Sequence, residues 1–148
     1  MSTRERFKLS ASVFMILKKS NKVLLLKRSN TGWMDGLFSV PAGAIDGKET
    51  LLEAVMREVQ EEIGVAVEPK NIRLVHTMHC FTGSDEWLGQ YFITESWEGE
   101  HRICEPEKHS ELQWVAANSL PDTVIPYVGQ AIDHILKGIS YSSYRDNK

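Results

Sequence analysis

Glu58, Glu61 and Glu62 stand within five residues of one another on a stretch, Thr50 to Ile63, whose apolar residues recur at helical spacing. On a helix turning about 100° per residue, the three carboxylates crowd one arc, and Leu52, Val55, Met56, Val59 and Ile63 form an apolar stripe beside it. Ala54 lies beneath the carboxylates and leaves room for an approaching group. Like charges three or four residues apart each cost a few tenths of a kcal/mol on an isolated helix, on the order of 0.2–0.5. Arg57 can pair with Glu53 and Glu61, whereas Glu58 and Glu62 have no cation at that spacing. A divalent ion would offset the repulsion, and several hard oxygens on one rigid helix suit Mg²⁺ or Mn²⁺, which also take waters and phosphates. A solvated acidic face fits the same spacing, so the flanking residues must decide.

Those residues, Gly43 to Val65, read GAIDGKETLLEAVMREVQEEIGV. With U an aliphatic residue, they match the pattern G-x5-E-x7-R-E-U-x-E-E-x-G-U at Gly43, Glu49, Arg57, Glu58, Val59, Glu61, Glu62, Gly64 and Val65. At ordinary residue frequencies a chance match over this chain is on the order of 10⁻⁸. The segment resembles the box of the Nudix hydrolase superfamily. A second, shorter likeness is WEGEHRICE, Trp97 to Glu105, which resembles the MutT-type branch, where a Trp-Glu-Gly-Glu precedes a further glutamate.

The resemblance implies a divalent-cation-dependent hydrolase of a nucleoside diphosphate linked to another moiety. It implies metal ligands at Glu58, Glu61 and Glu62, with the Ala42 carbonyl adding a backbone oxygen. Glu49 and Arg57 would pair to brace the loop against the helix. Glu105 would bind metal or activate water, although an ordinary loop acid fits the same position. Arg28 falls where that branch places a phosphate or base contact; a plain surface arginine fits equally. Subfamily marks narrow the substrate: His79 stands where ADP-ribose hydrolases tend to carry proline, Phe81 and Thr82 where dinucleoside-polyphosphate hydrolases tend to show tyrosine, and no SQPWPFPxS array is present. By elimination the expected reaction is a nucleoside triphosphate cleaved to monophosphate and pyrophosphate. A sugar, alcohol or dinucleotide leaving group, or a non-catalytic nucleotide-binding regulator on the same fold, are the alternatives.

The remaining sequence must position these groups. Leu9 to Leu17 and Val23 to Lys27 predict a hairpin, Ser29 to Gly36 a loop, and Leu37 to Val40 a strand stopped by Pro41. Thr50 to Ile63 is the helix, closed by Gly64. Ile72 to Phe81 and Trp87 to Trp97 read as strands, Glu98 to Ser110 as a polar loop, Leu112 to Val115 as a strand and Ile125 to Lys137 as an amphipathic helix. Residues 139–148 read as a loosely ordered tail. Strands outnumber helices without alternating with them, which predicts an α+β fold with a mixed, mainly antiparallel sheet. The resemblance implies a single domain over residues 1–148, built as the Nudix α/β/α sandwich. Trp33, in the loop Asn30 to Gly36, either stacks on a base or lids the core; Trp87, Trp97 and Trp114 read as core, and the histidines have no zinc spacing.

The composition excludes other classes. The 148 residues suit about one domain and a core that needs no disulfide. Seventeen Lys and Arg against twenty Asp and Glu give a net charge of −3, which argues against bulk binding to nucleic acid or anionic membrane. Cys80 and Cys104 are too few and too far apart for a disulfide scaffold or a zinc pair. With no stretch long enough to span a membrane, the expectation is a cytoplasmic monomer or homodimer acting on a small nucleotide.

Overall fold

The strand Ser10–Lys19 (β1) is apolar on both faces, with Val13, Met15 and Leu17 buried on one side and Phe14 and Ile16 on the other. A strand of this kind belongs in the middle of a sheet with a layer on each side. In the computed structural model, which describes residues 4–146, that is its place. The other elements are β2 (Lys22–Arg28), β3 (Phe38–Ser39), β4 (Ala42–Ala44), α1 (Leu51–Ile63), β5 (Arg73–Thr82), β6 (Asp85–Thr94), β7 (His109–Ala116), α2 (Pro126–Leu136) and β8 (Tyr141–Arg145). Strand order is β3-β2-β1-β6-β5-β8, with β4 paired to β1 and β7 to β2. The pairs β1–β6 and β5–β8 are parallel and the others antiparallel.

Two cores follow from that alternation. Val55, Val59 and Ile63 of α1 pack on the Val13, Met15 and Leu17 face. Val128, Ala131 and Ile132 of α2 pack with Phe14, Ile16 and Met78 on the other. The result is the expected α/β/α sandwich around a mixed, mainly antiparallel sheet. No helix among the described residues is long and apolar enough to cross a membrane. Cys80 and Cys104 are free thiols.

The start of α1 is fixed by a capping box. Thr50 Oγ1 accepts from the Glu53 N–H at 3.0 Å, and Glu53 Oε1 accepts from the Thr50 N–H at 2.8 Å. Glu53 is therefore committed to the cap and does not pair with Arg57. Gly64 ends the helix at φ 73°, in the left-handed region.

The structure departs from the sequence reading in three places. Ala42–Ala44, read as the stop after a strand and the start of a loop, is a short strand on β1. β7 begins at His109, inside the stretch read as loop, because it pairs with β2 as far as Arg28. Residues 141–145 form β8 along β5 instead of a loose tail, since β5 would otherwise leave an open edge. Residues 147–148 of that predicted tail lie outside the described residues.

Candidate active site

The helix α1 delivers its carboxylates to a cleft of about 480 Å³ whose wall includes Arg28, Gly43, Glu58, Glu61, Glu62 and Glu105. Glu105 arrives from a distant loop. The last carbonyls of a helix have no partner within it. Here the N–H groups of Cys104 and Arg102 donate to the carbonyls of Glu62 and Ile63, each at 3.0 Å. That docking lays the loop on the end of α1 and sets Glu105 in the same cleft as the helix carboxylates. Ala42 comes from β4, and its N–H donates to Glu62 Oε1 at 3.3 Å.

Arg57 gathers the acids on the outer side. It grips Glu49 with two hydrogen bonds, Nη2 to Oε1 at 2.7 Å and Nε to Oε2 at 3.1 Å. Its Nη1 reaches Glu58 at 2.8 Å and Glu61 at 3.2 Å, and Nη2 lies 3.3 Å from Asp46. Arg57 thus supplies Glu58 with the cation that helical spacing did not offer. The Arg57 hydrogen bonds, followed by that from the Asp46 N–H, hold the Glu49 carboxyl below its ordinary range. Arg57 and Glu49 fasten the loop before α1 to the helix, and neither lines the cleft.

Glu62 is the unusual acid. Only 6% exposed, it has its pKa pushed well above the usual carboxylate range by burial, then by the Glu58 carboxyl that shares a hydrogen bond with it. His109, which the sequence does not mark as a site residue, sits opposite with Nε2 3.7 Å from Glu62 Oε1. Burial, then Arg28 and Lys108, lower the His109 pKa, so the imidazole is neutral near pH 7 and the approach is no ion pair. The register shift of β2 between Lys27 and Arg28 places Arg28 beside His109. No motif marks His109; only the β2–β7 pairing brings it in.

A second cavity of about 410 Å³ adjoins the first and shares Arg28, Ala42 and Gly43 with it. Its walls include four aromatic rings, Phe14, Trp33, Trp87 and Tyr127. Trp33 is 42% exposed and its indole N–H donates to the Tyr127 hydroxyl at 3.3 Å. Its loop is held by Arg28, whose Nε donates to the Trp33 carbonyl at 2.7 Å and Nη2 to Thr31 Oγ1 at 3.0 Å. Trp87 packs against the α2-side core as read and also forms a cavity wall, edge-on to Tyr127 at 5.2 Å. The parallel β1–β6 pairing puts Ser10 opposite Trp87 and so turns that ring to the mouth. Trp97 and Trp114 stack on each other at 6.0 Å, packed against the α1-side core as read.

The sequence profile of the NUDIX domain matches residues 6–135. The chain belongs to the NUDIX family. It is 31% identical over 126 residues to the 8-oxo-dGTP diphosphatase of Escherichia coli strain K12, covering 83% of this chain and 95% of that one. It is 28% identical over 127 residues to the Nudix hydrolase YvcI of Bacillus subtilis strain 168, covering 83% of this chain and 77% of the relative. Among solved structures, the MutT NUDIX hydrolase from Burkholderia pseudomallei superposes with a TM-score of 0.78 at 25% identity, covering 86% of this chain and 98% of that one. The protein is a Nudix pyrophosphohydrolase, and enzymes of this family generally need a divalent cation.

The acid cleft of this Nudix enzyme has the chemistry for such an ion without presenting a finished cage. Among the described residues, no three acidic, histidine or cysteine side chains converge on one point. Arg57 draws Glu58 and Glu61 outward. Two observations nevertheless favour a cation. Glu62 and Glu58 crowd each other in a buried place where one positive charge would let both ionise. Gly43 faces Glu58 so closely that a Cβ would overlap its carboxyl group. Gly43→Ala should therefore push Glu58 aside and lower turnover about 100-fold, the usual cost of displacing a reacting group by about 1 Å. Steady-state rates beside the melting temperature check this, and a rate within threefold of wild type would remove Glu58 from the site.

Proposed function

We propose that this Nudix enzyme hydrolyses a nucleoside triphosphate to the monophosphate and pyrophosphate, with the base in the aromatic cavity and the phosphates over the acid cleft. The observation that carries this reading is the junction of the two cavities at Arg28, Ala42 and Gly43. A base and its phosphates are likewise an aromatic and an anionic part joined by a short linker. Asp85 and Glu86 also line the aromatic cavity. Their oxygens accept hydrogen bonds, which favours a base edge rich in N–H donors, as in guanine, and opposes a second anionic group there. The likeness to an 8-oxo-dGTP diphosphatase points the same way.

Glu58, Glu61, Glu62 and Glu105, with the Ala42 carbonyl, would hold Mg²⁺ or Mn²⁺. When bound, the ion supplies positive charge to the pyrophosphate oxygens and makes water more acidic. The chain's own part is to orient and to move a proton. As water attacks one phosphorus and the bridging P–O bond breaks, one proton must leave the water. Glu105 is suited to take it, since among the described residues its one ion-pair partner is Lys108, at 3.7 Å. Arg28, fixed by the Trp33 loop, sets a positive charge at the junction where the negative charge grows.

A panel of nucleoside triphosphates, nucleoside diphosphates, ADP-ribose, dinucleoside polyphosphates and nucleotide sugars, assayed with Mg²⁺ or Mn²⁺ for nucleoside monophosphate, pyrophosphate and phosphate, tests the reading. Pyrophosphate released from one triphosphate supports it, whereas turnover confined to ADP-ribose or a nucleotide sugar refutes it. Trp33→Ala should raise KM for the preferred triphosphate about tenfold with kcat little changed, given the roughly 1–3 kcal/mol a base gains by stacking. An unchanged KM would make Trp33 a cover on the core.

A further inference from the structure

The strand β8 lies beyond residue 135, where the matched NUDIX region ends, yet it packs on Tyr127, a wall of the aromatic cavity, and meets the turn that leads into another wall. Its near end is pinned from beneath. His76, 1% exposed, donates from Nδ1 to the Ile139 carbonyl at 2.8 Å, so its Nε2 accepts from Ser142 Oγ, also at 2.8 Å. Gln130 of α2 donates from Nε2 to Ser142 Oγ at 3.1 Å and to the Ser143 carbonyl at 3.0 Å. Side chains from β5 and α2 thus hold one polar strand in register, Thr77 opposite Tyr141 and Phe81 opposite Arg145.

The far end of the strand grips the β5–β6 turn. Asp146 Oδ2 accepts from the Gly83 N–H at 2.8 Å, and the Asp146 N–H donates to the Phe81 carbonyl at 3.1 Å. The Arg145 guanidinium lies 3.9 Å from the centroid of the Phe81 ring. That turn leads directly into the cavity wall. Thr82 Oγ1 accepts from the Trp87 indole N–H at 2.9 Å, His79 bonds Glu86 at 2.7 Å, and Thr82, Asp85, Glu86 and Trp87 all line the cavity. Tyr144 meanwhile packs edge-on against Tyr127, another wall, at 5.8 Å.

We propose that the C-terminal strand is a specificity element: through Asp146 and Arg145 it sets the β5–β6 turn and thereby the shape of the base cavity, leaving the acid cleft to work independently. Asp146 and Arg145 are positioning residues, since neither lines the cavity itself. The inference rests on the assignment of the aromatic cavity to the base.

The test measures binding of GMP, AMP, CMP and UMP, and separately of pyrophosphate with Mg²⁺, to the full chain and to Asp146→Ala, Asp146→Asn and Arg145→Ala. Asp146→Ala should weaken the best-bound monophosphate about tenfold, a loss of roughly 1.4 kcal/mol, while pyrophosphate binding stays within about twofold. Asp146→Asn, which keeps an oxygen to accept from Gly83, should recover most of the loss, and Arg145→Ala should weaken the monophosphate to a smaller degree. Equal losses for both probes, or monophosphate binding unchanged in Asp146→Ala and Arg145→Ala alike, would overturn the inference while leaving the base assignment standing. Wild-type protein that binds pyrophosphate and none of the four monophosphates would overturn both.

Discussion

Glu61→Gln is expected to lower kcat by about 100- to 1,000-fold while the protein melts within about 2 °C of wild type, because losing one preorganised charge at a reacting phosphate costs on that scale. The two halves of this expectation come from different parts of the structure. Glu61 is half exposed, and its ion pair with Arg57 at 3.2 Å is one of several that Arg57 makes. A pair of that kind contributes about 0–1 kcal/mol at most, and the amide of glutamine still accepts from Arg57, so the fold has little to lose. The site has much more to lose, since a glutamine lacks the negative charge that would hold a cation there. Rates at saturating Mg²⁺ with the preferred substrate, set beside thermal melts, separate the two effects. A variant retaining a third of wild-type turnover would take Glu61 out of the metal site, and a variant that melts far lower would show that its pairing with Arg57 is structural.

The helix carboxylates were legible because their geometry is local. Residues three and four apart on a helix share a face whatever surrounds it, so Glu58, Glu61 and Glu62 could be read together, as could the closing glycine. The direction of Arg57 was not, because its reach to Glu58 and away from Glu53 depends on Glu53 being taken by the Thr50 cap. The aromatic cavity was illegible for a stronger reason. Phe14, Trp87 and Tyr127 come from β1, β6 and α2, and they meet only because β1 and β6 run parallel with Ser10 opposite Trp87. Nothing in the alternation of either strand states that register. β8 was hidden by its composition: Tyr-Ser-Ser-Tyr-Arg lacks an apolar stripe, and its partners are polar, His76 and Gln130.

Glu62→Gln is expected to stabilise the metal-free enzyme while abolishing turnover. Burial and the Glu58 carboxyl raise the Glu62 pKa in the folded state, whereas the unfolded chain titrates near the ordinary glutamate value of about 4.3. A group raised in this way contributes stability below the unfolded value, and that contribution is lost as pH rises through the folded one. In a chelated sample the wild-type protein should therefore weaken as pH rises above the ordinary glutamate range toward the raised value of Glu62, whose ionisation beside Glu58 the fold opposes. Glutamine has the shape of the protonated acid: its oxygen can still accept from the Ala42 N–H, and its amide can donate to Glu58. The variant escapes the penalty. With chelator, the two proteins should melt closest together near pH 4 and diverge toward pH 8, with the variant the higher. Added Mg²⁺ should raise the wild type at pH 8 and leave the variant nearly unmoved, since the cation takes over the role that protonation plays in its absence. If the variant instead melts lower than wild type at every pH, Glu62 is an ionised partner in the folded protein and the case for a cation at its carboxylate fails.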